Sequence, residues 1–161
     1  MKILFVANRV PFPPFRGDKL KIFNLATELC KEHELHLITI AENQEDIDSV
    51  ASLLQPTEFL DQNGNKKLLF HSLNYEYRPK WKSAISAGLG IFSNRPIQVA
   101  FFRSSSFANR LNKILNEHKF DAIHVQHLRM AQYFENLGCE NVILDLPDAF
   151  SLYWKRRIQK S

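Results

Sequence analysis

The sequence predicts an α/β fold with a doubly wound, mostly parallel, Rossmann-like sheet. Short apolar runs such as Ile3-Leu4-Phe5-Val6 are typical of strands buried on both faces of a parallel sheet. These runs alternate along the chain with segments whose apolar residues recur at helical spacing. The chain has 161 residues, of which 45% are apolar, and this length can bury one core. We therefore expect a single domain over residues 1–161.

The first forty residues predict a strand, a helix and a second strand. The first strand covers residues 3–6, and the loop over residues 8–17 contains three prolines, which disfavour a helix. Asp18 is a candidate N-cap for a helix whose apolar residues recur over residues 20–30. The next strand covers residues 35–40. The connection between two such strands is right-handed, so the strands are expected to be parallel.

The rest of the chain continues this alternation. Apolar periodicity, capping residues and prolines place the later elements. The predicted elements are a helix over residues 44–54, a turn over 61–65, a strand over 67–73, a helix over 82–91, a helix capped within 104–106, a strand over 120–125, a helix over 130–137, a strand over 142–146 and a last helix capped by Asp148. A sheet of five or more strands is expected.

Composition disfavours several classes of function. The net charge of +4 arises from basic residues scattered among 17 acidic ones, so nucleic-acid binding is not predicted. Cys30 and Cys139 lie far apart without a CxxC spacing, and no metal site is predicted. No secretion signal follows Met1, and no apolar stretch approaches the roughly 20 residues of a membrane span. We expect a cytoplasmic protein whose membrane contact, if any, is peripheral at the inner face.

Ligands of open parallel sheets bind beyond the carboxyl ends of the strands, which directs attention to three loops. The first carries Arg16, Gly17, Asp18 and Lys19 at the start of a helix, where free N–H groups favour phosphate. It lacks GxGxxG and the P-loop pattern, which argues against dinucleotide and NTPase functions. The alternative is that Gly17 serves a tight turn and Asp18 a cap. Both interpretations remain open.

The other two loops contain His127, Asp145 and Asp148. His127 follows the strand over residues 120–125 and can meet a ligand there, whereas His124 within that strand is expected to be packed. The two aspartates are candidate acids, bases or acceptors for sugar hydroxyl groups, and each also suits a structural role. No Ser-His-Asp order or HExxH motif favours a hydrolase.

Several blocks of the sequence resemble, in order, the N-terminal half of group 1 glycosyltransferases (glycosyltransferase family 4), above all bacterial sugar transferases of polysaccharide biosynthesis. The blocks are PFPPFRGDKLKIFNLATELC, SNRPIQVAFFRSSSF, FDAIHVQHLRMAQYFE and VILDLPDAFSLYWKRR. The resemblance implies one acceptor-side half of a GT-B fold and retaining transfer without a metal or cofactor. The nucleotide-sugar is then a substrate, and the acceptor is a saccharide or a lipid-linked molecule.

The same resemblance implies roles for particular residues. The loop with Arg16, Gly17, Asp18 and Lys19 approaches the donor diphosphate, although many members carry two adjacent glycines where this chain has only Gly17. His127 corresponds to a histidine that contacts the transferred sugar, which some members place one position earlier.

Members of this family are longer, with a second, donor-binding domain that is absent here, so the isolated chain is expected to be inactive. Two other classes remain as alternatives. One is a non-catalytic phosphate- or lipid-binding module. The other is a flavodoxin- or receiver-like protein, which lacks support because Asn8 and Arg9 stand where a receiver carries acidic residues.

Overall fold

The computed structural model describes residues 1–54, 56–60, 66–90, 97–135, 137–146 and 156. The elements are β1 (Lys2–Ala7), α1 (Gly17–Leu29), β2 (Glu34–Ala41), α2 (Gln44–Leu53), β3 (Pro56–Leu60), β4 (Lys66–Leu68), β5 (Ser72–Tyr77), α3 (Lys80–Gly90), α4 (Ile97–Phe101), α5 (Ser105–Glu117), β6 (Ala122–Gln126), α6 (Leu128–Ala131) and β7 (Val142–Asp145).

Five parallel strands form one sheet in the order β5-β2-β1-β6-β7, and an antiparallel pair, β3 and β4, lies outside it. The predicted α/β, Rossmann-like class is therefore confirmed.

Strand β1 is the centre of the sheet because it is apolar on both faces. Alternating side chains of β1 enter two different cores. Phe5 and Ala7 pack towards α1 and α2, together with residues such as Ile22, Ala26, Leu37 and Val50. Leu4 and Val6 pack towards α5 and α6, together with residues such as Ile38, Phe107, Leu111 and Met130. Helices thus cover both faces of the sheet.

Two helices begin with the side-chain caps that their sequences favour. Ser104 precedes α5 and its hydroxyl accepts a hydrogen bond from the N–H of Phe107 at 3.3 Å, as the predicted capping segment requires. Asn43 caps α2 by accepting from the N–H of Asp46 at 2.8 Å. Helix α1 differs, because its N-cap residue is Arg16, whose side chain makes no capping bond. The prediction that Asp18 is the N-cap is wrong, since Asp18 already lies within the first turn.

The third parallel strand lies further along the chain than the sequence suggests. A strand was expected over residues 67–73, but Leu69 and Phe70 are fully buried in a loop between β4 and β5. Strand β5 follows at Ser72–Tyr77 and pairs with β2. Leu69 and Phe70 therefore fill the core without pairing in a sheet. The less apolar segment after them forms the edge strand.

Other boundaries also differ from expectation. Helix α6 is a single turn, where a longer helix over residues 130–137 was predicted. Helices α3 and α5 lie close to their predicted positions. The predicted turn over residues 61–65 and the last helix, which Asp148 was expected to cap, lie outside the described residues. Within the described ranges, no helix has the length and apolar character needed to cross a bilayer.

Candidate functional site

The strand order places a crevice between β1 and β6. The chain runs outward from β1 through β2 to β5, and then returns to the other side of β1 to form β6 and β7. The connections after β1 and β6 therefore lead in opposite directions and leave a gap at the carboxyl ends of these two strands. Asn8 and Arg9 follow β1 there, and His127 follows β6. Two of the three predicted loops meet at this point.

One hydrogen bond joins these two loops directly. The side-chain amide of Gln126, the last residue of β6, donates to the carbonyl oxygen of Asp18 at 2.8 Å. Gln126 is buried and Asp18 is half-buried, so this contact is partly shielded from water and joins the first turn of α1 to the end of β6. Gly17 precedes Asp18 and His127 follows Gln126, so this bond brings Gly17 and His127 near each other although they are far apart in sequence.

The start of α1 is only partly capped. Arg16 makes no side-chain capping bond, whereas the carboxylate of Asp18 accepts a hydrogen bond from the N–H of Lys19 at 3.0 Å. Gly17 does not have a positive φ, and a Cβ built on it would meet nothing within 4 Å. Neither a tight turn nor packing therefore requires glycine here. Gly17 is exposed, and without a side chain it leaves the backbone N–H groups of this turn accessible.

Most charges beside this helix start are already paired. Arg9 lies 3.3 Å from the Asp18 carboxylate, and Lys19 lies 3.4 Å from Asp46. Burial alone would raise the pKa of Asp18, but the N–H of Lys19 and the charges of Arg9 and Arg16 outweigh it, so the pKa is below its usual value. Asp18 is therefore a carboxylate at neutral pH. Arg16 is exposed and makes no ion pair with the described residues.

His127 has an unusual backbone conformation. Its φ of 68° and ψ of 149° lie in a region that is essentially restricted to glycine. The conformation is held from both sides, because its N–H donates to the carbonyl of Asp145 at 2.9 Å and its own carbonyl accepts from the N–H of Met130 at 3.1 Å. Such strain costs on the order of 1–3 kcal/mol and clusters at functional sites. The side chain is buried beside the crevice.

Asp145 is tied to its surroundings by charge. One carboxylate oxygen lies 2.6 Å from the ammonium group of Lys21 in α1, and the other lies 3.5 Å from Nε2 of His124. Burial lowers the pKa of His124, and the Asp145 charge only partly offsets this effect. His124 packs against Phe5 with ring centroids 5.0 Å apart, in agreement with its expected packed role. Asp145 thus links β7, β6 and α1.

Asn8 is the least satisfied polar residue of this region. Its side chain is fully buried directly after β1, and neither its amide oxygen nor its amide nitrogen has a hydrogen-bond partner among the described residues. Leaving such a group unsatisfied costs about 1–3 kcal/mol, and buried polar groups are rarely left in this state. In this conformation the side chain has no exposed surface, so a polar molecule in the crevice would reach it only after the side chain moves.

Comparisons with known proteins add little to this geometry. No model of a protein family matches the sequence, and no curated protein matches it. A solved structure that is similar in fold is the N-terminal domain of Candida albicans trehalose-6-phosphate phosphatase, with a TM-score of 0.43 and 16% sequence identity. The match covers 89% of this chain and 32% of that chain. None of these comparisons supports the glycosyltransferase resemblance.

The structure brings several of the predicted residues together. Gly17 and Asp18 lie in the turn of α1 that is bonded to Gln126, the residue before His127, and Asp145 is bonded to His127 through its carbonyl and to Lys21 of α1 through its carboxylate. Asp148 lies outside the described residues. Among the described residues, no three His, Cys, Asp or Glu side chains are placed to hold a metal ion. Metal-independent chemistry stays a prediction.

Sequence reasoning gave no role to Asn8, Gln126 or Lys21. Asn8 and Gln126 are neutral amides that begin two of the predicted ligand loops, and the strand order shows that these loops are neighbours at the crevice. A polar residue at the end of a strongly apolar strand is the signal that both share. Lys21 gave no local signal, because its partner Asp145 is 124 positions away.

Proposed function

We propose that this chain is the acceptor-side domain of a retaining glycosyltransferase, which moves a sugar from a nucleotide-sugar to a saccharide or lipid-linked acceptor. The proposal combines the resemblance to group 1 glycosyltransferases with the crevice between β1 and β6. It assigns the donor-binding half of the enzyme to a further domain. In this proposal the 161-residue chain alone has no turnover, because stabilisation of the transition state needs both walls of the cleft.

One observation carries the proposal: the 2.8 Å bond from Gln126 to the carbonyl of Asp18. It holds the first turn of α1 beside the residue that precedes His127. A helix start that would bind an anion and a histidine are therefore held next to each other by this half-buried contact. A transferase needs this pairing, because the leaving diphosphate and the transferred sugar are covalently joined in the donor.

The residues then have distinct roles. The N–H groups at Gly17 and the guanidinium group of Arg16 would stabilise negative charge that develops on the leaving diphosphate. Asp18 is an anion, so it would repel phosphate and instead orient Arg9 or accept a hydroxyl hydrogen bond. Lys19 would have to leave Asp46 to reach a phosphate group. His127 would contact the transferred sugar, and the buried amide of Asn8 would bond to sugar hydroxyl groups.

The alternative function is a non-catalytic phosphate-binding module. The open start of α1 suits either function, because both need an anion at the same N–H groups. The strained backbone of His127 favours the transferase, since binding of a simple anion at α1 gives no reason to hold a residue of β6 in a costly conformation.

Sugar transfer by the product of the complete reading frame tests the proposal. Transfer from a panel of nucleotide-sugars is measured for that product and for the 161-residue chain, with lipid-linked and free saccharide acceptors. We expect turnover only for the complete product, and His127→Ala should lower kcat about 100-fold. His33→Ala is a matched control, because His33 lies after α1 and away from the crevice.

Two results would contradict the proposal. One is turnover by the 161-residue chain alone. The other is a complete product that binds phosphate without transferring any sugar, which would favour the binding module.

A further inference from the structure

Helix α3 is held with its polar side towards the protein. Arg78, directly after β5, is buried, and its Nε donates to the hydroxyl of Ser83 at 3.0 Å. Its terminal nitrogen donates to the hydroxyl of Ser86 at 2.6 Å. Ser83 and Ser86 are three positions apart and share one face of the helix. These two bonds fix the rotation of α3 about its axis.

The opposite side of α3 is apolar and exposed. Trp81 and Ile85 are four positions apart, so they form one stripe, and they are 60% and 55% exposed. Ala84 and Gly88 are exposed on the same side, and Tyr77 at the end of β5 is 52% exposed. A helix that packs on a sheet normally shows the reverse arrangement, with its apolar face inward. Within the described part of the chain, nothing buries this outward apolar stripe.

Charge indicates what that partner is. Lys80 and Lys82 flank the stripe, and Lys82 lies over the Trp81 ring, 5.5 Å from its centroid. Residues 77–116 contain seven Lys and Arg and no Asp or Glu, whereas the rest of the chain has 14 basic and 17 acidic residues. The net charge is therefore +7 in this segment and −3 elsewhere. An apolar stripe with tryptophan and flanking lysines fits the surface of an anionic bilayer.

We propose that α3 is a membrane-docking helix that inserts Trp81 and Ile85 into the interface of an anionic lipid bilayer, with Lys80 and Lys82 on the headgroups. Tryptophan favours the level of the headgroups, and lysine stems extend along apolar surface while the ammonium stays in water. Helix α3 follows the carboxyl end of β5, and the crevice opens at the carboxyl ends of the strands. The bilayer would therefore lie on the same side of the sheet as the crevice. The docking does not depend on the proposed transferase activity.

Vesicle co-sedimentation of the 161-residue chain tests this surface. We expect binding to vesicles of equal parts phosphatidylcholine and phosphatidylglycerol, weak binding to phosphatidylcholine alone, and a decline as salt rises. Lys80→Gln with Lys82→Gln should weaken binding roughly 30-fold, since each basic residue near the surface contributes about fivefold. Trp81→Ser with Ile85→Ser should weaken it at least about tenfold.

Matched variants separate the stripe from general properties of the surface. Lys31→Gln with Lys119→Gln removes the same charge elsewhere, and Ile143→Ser removes a similarly exposed apolar residue on β7. Both controls should bind as the unchanged chain does. In a Trp154→Phe background Trp81 is the sole tryptophan of the chain, and its emission should shift to shorter wavelength with anionic vesicles. This shift reports docking without any change to the stripe.

Three results would overturn the proposal. The first is absence of binding to the anionic vesicles. The second is unchanged binding by the folded Trp81 and Ile85 double variant, with thermal unfolding as the measure of folding. The third is a single-stranded RNA that displaces the chain from vesicles and loses affinity with the same lysine variants, which would make nucleic acid the partner.

Discussion

Two buried polar side chains at opposite ends of the sheet, His36 and Asn8, differ in how the fold satisfies them. At the amino end, His36 of β2 is buried with both ring nitrogens partnered, Nδ1 to the Ser72 hydroxyl at 2.7 Å and Nε2 to the Glu34 carboxylate at 2.8 Å. At the carboxyl end, the amide of Asn8 and the hydroxyl of Thr39 are buried without hydrogen-bond partners among the described residues. His127, at the same end, has a strained backbone.

This difference separates a structural cluster from a candidate ligand site. Burial of a polar group is tolerated where the fold itself supplies its partners, as it does for His36. Buried groups without hydrogen-bond partners and a strained backbone both lower the free energy of unfolding. Ligand binding is a reason for a protein to keep such features. We therefore interpret the amino end as structural and the carboxyl end as the place for a ligand.

The largest expected effect concerns His127. His127→Ala and His127→Gly both remove the imidazole, so both should lower kcat of the complete gene product about 100-fold. Only glycine relieves the positive φ, so His127→Gly should exceed His127→Ala in free energy of unfolding by about 1–2 kcal/mol. Chemical denaturation of the 161-residue chain measures this second quantity. Equal free energies of unfolding for the two variants would show that the backbone of His127 is not strained.

His36 should show the reverse pattern. His36→Ala removes two hydrogen bonds and the packing of the ring against Phe120, so the free energy of unfolding should fall by about 2–3 kcal/mol. Ser72→Ala removes one of these bonds and should cost about 1 kcal/mol. Neither change should alter kcat of the folded enzyme. A specific loss of turnover in either variant would mean that the amino end is more than structural.

Gly17 and Gly88 form a matched pair, because a Cβ on either would meet nothing within 4 Å and both begin or continue a helix. Alanine at either position should raise the free energy of unfolding, by about 0.5–1 kcal/mol. Only Gly17→Ala should weaken pyrophosphate binding, about tenfold, because its methyl group would stand between the anion and the backbone. Isothermal titration calorimetry compares the two, and equal affinities would argue against an anion site at α1.

The smallest expected effect is a pH dependence that both ends share. Burial lowers the pKa of His36 and of His124 below the ordinary value of about 6.5. The unfolded chain therefore binds protons that the folded chain does not, and stability is complete above about pH 6.5 and falls as the pH decreases below it. His124→Gln should flatten this dependence in urea denaturation between pH 7 and 5. An unchanged slope would show that His124 does not contribute.

The fold was predictable from sequence wherever local patterns and burial agree. The apolar run of β1 and the capping serine of α5 each determine an element locally, and both elements lie where they were expected. The prediction of one strand over residues 67–73 was wrong at Leu69 and Phe70. Their apolar side chains indicate burial, and burial alone does not distinguish a strand from a loop that fills the core.

The candidate site was predictable only in part, because its contacts are long-range. The strand-end rule selected the loops of Gly17 and His127 without any knowledge of strand order. The bond from Gln126 to Asp18 spans 108 positions, and the backbone strain of His127 depends on its bond to Asp145. Neither leaves a trace in the local sequence, so residue types alone could not identify them.

An NMR titration of the ¹⁵N-labelled 161-residue chain with inorganic pyrophosphate tests the central claim most directly. We expect saturable shifts of the amide signals of Gly17, Asp18 and Lys19, with smaller shifts at Gln126 and His127. The signals of His36 and Ser72 should stay unchanged. Saturable shifts at the amino end, or none at the start of α1, would contradict the assignment of the ligand site to the carboxyl end of the sheet.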